Sequence, residues 1–276
     1  METLLASPLP QKDLKLLRCK LIRKDWLTPK IIRLRFDEPY IAKLSNPGQF
    51  INIKVTDNYV PLLRRPFSIH RVDRDNGWFE ILFKVIGRGT QALAQYEVGA
   101  RLDILGPLGN SFQIQSQNDS AIMIAGGLGI VPLLFLAQEL VRNNIAATLF
   151  YGNKSKDEIC TVQDFDELGV AHFLATEDGS AGLKGRVTEL ISAKKNMVVQ
   201  SNSMIYACGP NPMLQKLKKI MDQTNQTCQV SLETLMACGF GVCLGCVVNS
   251  TSALNPYKYV CKDGPVFYTS EIDLRE

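Results

Sequence analysis

The stretch AIMIAGGLGIVPLLFLA (121–137) is the most apolar in the chain, and how it is read decides the fold. A membrane-spanning helix needs about 20 uninterrupted apolar residues. This segment is shorter and is broken by Gly126, Gly127, Gly129 and Pro132. It reads instead as a buried strand, AIMIAGG, followed by a buried helix, VPLLFLAQELVR. A strand that runs through a glycine turn into a helix begins a parallel βαβ unit, and in doubly wound sheets dinucleotide phosphates dock at that turn. AGGLGIVP (125–132) is not the standard G-x-G-x-x-G, so the turn alone names no ligand.

Working outward, the same rhythm continues towards the C-terminus. AATLFYG (146–152), HFLATED (172–178) and SMIYACG (203–209) read as further strands. Helices are expected near DFDEL (164–168), at GRVTELI (185–191) and at NPMLQKLKKIMDQ (211–223), with Asn211 as N-cap and Pro212 in the first turn. Alternating strands and helices imply a parallel sheet covered on both faces. DFDEL reads as a solvated helix face.

Towards the N-terminus the pattern differs. KIIRLRF (30–36), QFINIKV (49–55), WFEILFKVI (78–86) and RLDILG (101–106) alternate or run apolar between turn residues, as the strands of a small antiparallel barrel do. GPLGNSF (106–112) reads as its exit loop and QIQSQNDS (113–120) as a linker. The start, METLLASPLPQKDLK, lacks a basic head and a long apolar stretch, so no signal peptide is expected.

From about Cys228 the chain becomes loop-rich and too small to fold on an apolar core alone, so a staple is expected. Cys238, Cys243, Cys246 and Cys261 give C-x4-C-x2-C-x14-C, whose first part is the plant-type [2Fe–2S] spacing. Gly239, Gly241 and Gly245 let the backbone wrap closely around such a cluster. Structural zinc is the main alternative, but its usual pair of C-x2–4-C knuckles lacks a second member here. Four buried free cysteines would leave the glycines unexplained.

Three further constellations fall at turns. RRPFSIH (64–70) sets an arginine beside a Pro-fixed extended strand, where a guanidinium can fork onto a phosphate; a basic turn entering a strand is the plain alternative. IGRGTQAL (86–93) is a glycine turn into a helix start, a place that suits a pyrophosphate or is simply a turn. ACGPNPM (207–213) puts Cys208 near the carboxyl edge of the sheet, as a ligand-edge residue or as a structural thiol. His70, His172, Cys19, Cys160 and Cys228 read as structural or surface residues. No Ser/His/Asp or paired-carboxylate site stands out, so no side chain is assigned to catalysis.

The 276 residues carry a net charge of +4 with scattered basic residues, which gives no nucleic-acid-binding face. Apolar content of 46% excludes a disordered chain, and eight cysteines with no signal peptide point to a cytoplasmic protein with reduced thiols.

In chain order, R-P-F-S (65–68), G-x-G-T (87–90), A-G-G-x-G-x-x-P (125–132), C-G-P-x-P-M (208–213) and the four cysteines resemble the ferredoxin–NADP reductase superfamily across essentially the whole chain. LETLMACGFGVCLGCVV (232–248) followed by YVCKDGPVF (259–267) is similar to the electron-transfer subunits of class 1B dihydroorotate dehydrogenases. Reductase subunits of sulfhydrogenases and of NADPH–ferredoxin complexes share much of the plan. A zinc-stabilised interaction module is the alternative of another class.

The resemblance implies three domains: a FAD-binding antiparallel β-barrel (1–115), a NAD-binding parallel-sheet α/β domain (116–227) and a small [2Fe–2S] domain (228–276). It implies that Arg65, Pro66, Phe67 and Ser68 hold FAD, with Arg65 at the pyrophosphate, Phe67 against the flavin and Ser68 near its N5. Phe67 stands where many superfamily members have tyrosine. Leu82, Phe83 and Lys84 would flank the flavin, and Gly89 and Thr90 would form a phosphate turn. Gly126, Gly127 and Gly129 would face the pyridine nucleotide, with Cys208, Gly209 and Pro210 near the nicotinamide. Cys238, Cys243, Cys246 and Cys261 would bind the cluster. Electrons would pass from dihydroorotate to FMN on a separate catalytic subunit, then through [2Fe–2S] and FAD to NAD, in a heterotetramer with two copies of each subunit. Lys154 and Lys156 favour a 2′-phosphate on the nucleotide while Asp157 and Glu158 oppose it; the resemblance favours NAD.

Overall fold

A computed structural model of the chain describes residues 14–115, 120–199, 203–224 and 226–274. The N-terminal leader reading (1–15) and the linker reading (113–120) fall largely or partly outside the described residues.

The first half closes into a six-stranded antiparallel barrel in the order β1-β2-β5-β4-β3-β6. The strands are β1 (Lys15–Thr28), β2 (Ile31–Asp37), β3 (Phe50–Ile53), β4 (Arg65–Asp73), β5 (Trp78–Lys84) and β6 (Arg101–Leu108). Helices α1 (Pro39–Leu44) and α2 (Arg88–Ala94) bridge their ends. β2, β3, β5 and β6 correspond to the four expected strands, and β4 continues the Pro-fixed segment. β1 was hidden because its sequence, KLLRCKLIRKDWLT, is largely charged; one side faces solvent, while Cys19 and Leu21 are fully buried.

The second half is a seven-stranded sheet in the order β10-β9-β8-β7-β11-β12-β15. It contains β7 (Ser120–Gly126), β8 (Ala146–Asn153), β9 (Ala171–Thr176), β10 (Leu183–Lys184), β11 (Ser203–Cys208), β12 (Cys228–Ser231) and β15 (Val266–Tyr268). All neighbours pair in parallel except β15, which runs antiparallel to β12. The crossover helices are α3 (Val131–Arg142), α4 (Val162–Glu167), α5 (Val187–Ala193), α6 (Lys195–Val198) and α7 (Asn211–Thr224). α7 begins at Asn211 itself, the expected capping residue, and so one residue earlier than expected. The expected division at 227/228 does not fall at a sheet edge, because CQVS (228–231) continues the parallel sheet beside β11. The intervening segment holds the hairpin β13 (Val247–Asn249) and β14 (Tyr257–Tyr259), followed by α8 (Val260–Asp263).

Polar contacts tie the barrel to the sheet. Asp164 of α4 receives Arg33 at 3.2 Å and Arg71 at 3.4 Å, and Phe165 beside it is fully buried. DFDEL is therefore a solvated face only in part: Asp166 and Glu167 are exposed, while Asp164 and Phe165 make an interdomain contact. Arg74 pairs with Glu139 of α3. His70 of β4 is fully buried, and its Nδ1 lies 2.8 Å from the Val131 carbonyl at the start of α3, which makes it a neutral donor there. Burial holds its pKa below the ordinary 6.5. Phe135 of α3 enters the barrel core, so apolar packing crosses the same boundary.

Candidate functional site

The sheet reverses direction of strand addition between β7 and β11, since β8 follows on one side and β12 on the other. Open parallel sheets bind ligands at the carboxyl ends of strands at this switch point, where adjacent loops part to leave a crevice. Gly126 ends β7 there, with Gly127 and Gly129 in the turn after it, and Cys208 ends β11, followed by Gly209 and Pro210. The two turns meet closely: a Cβ on Gly129 would stand 2.0 Å from the Cys208 carbonyl oxygen, and one on Gly126 would stand 2.6 Å from Met213 Sδ. Only glycine permits this approach. Burial pushes the Cys208 thiol well up, and the charge of Glu233 adds to it, so the thiol faces the edge uncharged.

Opposite this edge lies a cleft of about 240 Å³, lined from the barrel by Pro66, Phe67 and Ser68 of β4 and by Leu82 and Phe83 of β5. Leu128 and Val131 close it from the sheet side, and Ser231–Thr234 and Met236 from the C-terminal segment. Phe67 and Phe83 meet at 5.0 Å between ring centroids, forming an aromatic wall. Arg65 leads into the cleft, its guanidinium held by the Leu63 carbonyl at 2.6 Å. A Cβ on Gly89 would stand 2.7 Å from Arg65 Nε, so Gly89 makes room for that guanidinium. Thr90 Oγ1 accepts from Ile86 N at 3.0 Å and Gly87 N at 3.1 Å, fixing the turn below it. Lys84 departs from this group: its Nζ lies 2.7 Å from Glu158 Oε1 and bridges the two domains. That ion pair also occupies one of the two carboxylates expected to oppose a nucleotide phosphate.

The four cysteines gather as two pairs. Cys246 Sγ lies 3.3 Å from Cys261 Sγ, and Cys238 bonds to Cys243 through side chain and backbone, with Cys243 N donating to Cys238 Sγ at 3.4 Å. Further N–H donors aim at sulfur: Gly241 N at Cys261 Sγ, 3.1 Å, and Cys261 N at Cys246 Sγ, 3.3 Å. Gly239 and Gly241 have φ of 81° and 88°, the left-handed region in which glycine is not strained. Burial and the adjoining Cys246 sulfur push Cys261 up to about 12. At Cys238 burial acts upward, but the N–H groups of Cys243 and Phe240 prevail and bring the thiol down to about 6. Among the described residues, no three or more His, Cys, Asp or Glu side chains converge as one single-ion site. Two thiol pairs ringed by N–H donors fit a two-iron cluster better than one tetrahedral zinc.

Two asparagines that drew no notice in the sequence fasten the cysteine loop to the barrel. Asn52 of β3, cross-strand from Pro66, donates to the Cys238 carbonyl at 3.0 Å. Asn110 of the exit loop donates to the Asp263 and Val266 carbonyls at 3.0 and 2.7 Å and accepts from Val266 N at 2.9 Å. The available signal was a polar residue inside the otherwise apolar FINI strand, all of which is buried. Cys19, Cys160 and Cys228 are buried and do not line the cleft beside Phe67, and His172 sits 3.1 Å from Asp166.

Residues 18–113 match the oxidoreductase FAD-binding domain, 123–219 the oxidoreductase NAD-binding domain, and 233–273 the iron–sulfur cluster binding domain of dihydroorotate dehydrogenase B. A Desulforamulus reducens protein named dihydroorotate dehydrogenase B (NAD(+)), electron transfer subunit, is 37% identical over 254 residues, covering 92% of this chain and 96% of that one. The chain belongs to this electron-transfer-subunit family. A Fusobacterium nucleatum relative of the same name is 34% identical, covering 88% of this chain and 92% of its own. Among solved structures, a chain of the NADH-dependent reduced ferredoxin–NADP oxidoreductase studied for flavin-based electron bifurcation superimposes with a TM-score of 0.79. It is 25% identical and covers 94% of this chain and 90% of that one. The ferredoxin reductase of carbazole 1,9a-dioxygenase, at 23% identity and a TM-score of 0.67, shares the fold over 77% of this chain and 67% of its own. The family's three domain types correspond to the barrel, the parallel sheet and the cysteine segment. No helix among the described residues is long and apolar enough to cross a membrane.

Proposed function

We propose that the chain is the electron-transfer subunit of an NAD-dependent dihydroorotate dehydrogenase in pyrimidine biosynthesis. It works in the cytoplasm with an FMN-containing catalytic subunit, two copies of each forming the complex. The observation that carries this reading is the fastening of the cysteine loop to the barrel strand next to the R-P-F-S strand, through Asn52 and the Cys238 carbonyl. When bound, a [2Fe–2S] cluster exchanges single electrons, NAD exchanges hydride, and FAD exchanges both, which connects the partner's FMN to NAD.

The chain's own residues hold and orient these groups. Cys238, Cys243, Cys246 and Cys261 would hold the cluster as thiolates, and the N–H donors of Gly241, Cys243 and Cys261 would stabilise the sulfur charge. Arg65, beside the turn of Gly89 and Thr90, would supply the guanidinium that holds the FAD pyrophosphate. Pro66, Phe67, Leu82 and Phe83 would give the flavin an apolar wall, and Ser68 in the same cleft would offer it a hydroxyl. Phe67 provides the wall without the phenol of a tyrosine. Lys84 acts indirectly, by holding Glu158 across the domain boundary. Gly126, Gly127 and Gly129 admit the nucleotide backbone, and Cys208, Gly209 and Pro210 bound the nicotinamide side with an uncharged thiol.

Around the cysteine loop Leu235, Val242 and Leu244 are exposed, as are Tyr59, Val60 and Leu62 in the loop joining β3 to β4. Apolar surface of this kind beside an electron-carrying loop suits a protein partner. Purification of the native complex tests the reading. It predicts an FMN-containing second subunit and dihydroorotate-dependent NAD reduction. A partner carrying hydrogenase or ferredoxin chemistry in its place would refute it.

A further inference from the structure

We infer that Asn52 is a positioning residue for electron transfer: it acts through Cys238 and raises the reduction potential of the group the cysteines hold. The inference rests on that group being a [2Fe–2S] cluster. Asn52 is the one polar side chain of the FINI strand and is 1% exposed. Its Nδ2 donates to the Cys238 carbonyl at 3.0 Å, while its Oδ1 is buried with no hydrogen-bond partner among the described residues. An amide buried with its acceptor unused destabilises a fold, and leucine would fill the same place without that penalty. What asparagine adds at this position is the bond to the cysteine loop. The loop is shaped to receive it: a Cβ on Gly239 would stand 2.5 Å from Asn52 Nδ2.

The bond lies between the two redox sites. Asn52 pairs cross-strand with Pro66 and Ile51 with Phe67, and Pro66 and Phe67 line the flavin cleft. Arg64 pins the same strand: its Nη1 donates to the Asn52 carbonyl at 3.4 Å and its Nη2 holds Asp103 at 2.7 Å. Cys238 also reaches the cleft along the chain, through Met236 two residues earlier. It is thus tied to the flavin side twice, whereas Cys243 is exposed and Cys246 and Cys261 face each other. Reduction of a cluster adds one electron, with no bond broken and no proton moved. The dipoles and geometry around its ligands therefore decide where the electron rests. An N–H aimed at the Cys238 carbonyl draws density from that ligand and favours the reduced state. The same bond keeps Cys238 against the strand beside the flavin.

Dye-mediated redox titration of the holoprotein, followed by electron paramagnetic resonance, tests this without any turnover. Wild type is compared with Asn52→Leu, which removes the donor, and with Asn52→Asp, which keeps the size and turns carboxylate oxygens on the loop. For Asn52→Leu, FAD and iron contents match wild type and Tm does not fall. The electron-sharing equilibrium between cluster and dye shifts about 10-fold towards the dye, the worth of one hydrogen bond. For a one-electron couple that is a potential lower by about 59 mV. Asn52→Asp shifts it further in the same direction. An Asn52→Leu protein with unchanged potential overturns the inference, as does one that loses FAD together with iron, which marks a residue that merely holds up the barrel. Should neither variant fold, Gly239→Ala displaces the Asn52 amide from the loop side, and an unchanged potential there overturns the inference equally. Wild-type protein without the absorption of a [2Fe–2S] cluster overturns the cluster reading itself, and that is visible before any substitution is made.

Discussion

Replacing Gly129 with alanine puts a methyl group where the structure has no room. Its Cβ would lie 2.0 Å from the Cys208 carbonyl oxygen, 2.3 Å from the carbonyl carbon and 2.7 Å from Gly209 N. Real Cβ contacts essentially never fall below 3.0 Å, so the turn after β7 must part from the end of β11 by at least 3.0 − 2.0 = 1.0 Å. All three contacts are backbone, and no flexible side chain can swing aside. Gly129 does not have a left-handed φ, so the cost is steric and not conformational. Overpacking of this kind costs about 1–3 kcal/mol, which lowers Tm by about 2–4 °C for each kcal/mol in a chain of this size. A shift of about 1 Å in a positioning element costs on the order of 10²-fold in rate. For Gly129→Ala we therefore expect normal FAD and iron content, a modest fall in Tm, and NADH-dependent bleaching of FAD slowed about 10²-fold. Rapid mixing with NADH and thermal unfolding measure these together. Wild-type bleaching with an unchanged Tm would refute the claim that the contact between these two turns shapes the nucleotide site.

Arg65→Ala weakens FAD retention by roughly 10- to 100-fold, the worth of a charge-assisted hydrogen bond, while the iron content holds. Gly89→Ala reproduces much of that loss because its Cβ would occupy the place of Arg65 Nε; flavin release on dilution reads both. Asn110→Ala removes three hydrogen bonds to the segment carrying Cys261, each worth about 0.5–1.5 kcal/mol net. It accelerates iron loss to a chelator while FAD stays bound, and equal rates in wild type and variant contradict the anchoring role. His70 is buried and neutral in the fold with its pKa below 6.5, so the unfolded chain binds the extra proton as pH falls through 6.5. Stability contributed above that pH is lost below it, at up to about 1.4 kcal/mol per pH unit. Denaturant unfolding at several pH values shows a shallower slope for His70→Gln than for wild type; equal slopes contradict the assignment.

The parts that were legible in the sequence share a physical trait: their signals are local. The strand–turn–helix at 121–137 and the cysteine spacing at 238–246 each rest on residues close in sequence. The elements that escaped notice act across long separations. Asn52 reaches Cys238 and Asn110 reaches Val266, pairings 186 and 156 residues apart that spacing cannot reveal. Asp164 looked like one acid on a solvated face because its partners, Arg33 and Arg71, lie in the barrel. β1 lacked apolar alternation because its charged side chains coat the outside of a closed barrel. β12 appeared to open a loop-rich tail because four residues are too few to declare a strand, and the parallel pairing with β11 supplies the rest.

The central claim is that one chain joins a hydride-exchanging flavin to a one-electron iron–sulfur carrier. Anaerobic titration of the purified chain with NADH, followed by optical absorption and low-temperature electron paramagnetic resonance, tests it most directly. The account predicts bleaching of a bound flavin together with the signal of a reduced [2Fe–2S] cluster; replacing Cys246 and Cys261 by serine abolishes the cluster signal and leaves the flavin bleaching. A colourless protein holding zinc, or a flavin that NADH reduces while an intact cluster stays oxidised at every NADH excess, would contradict it.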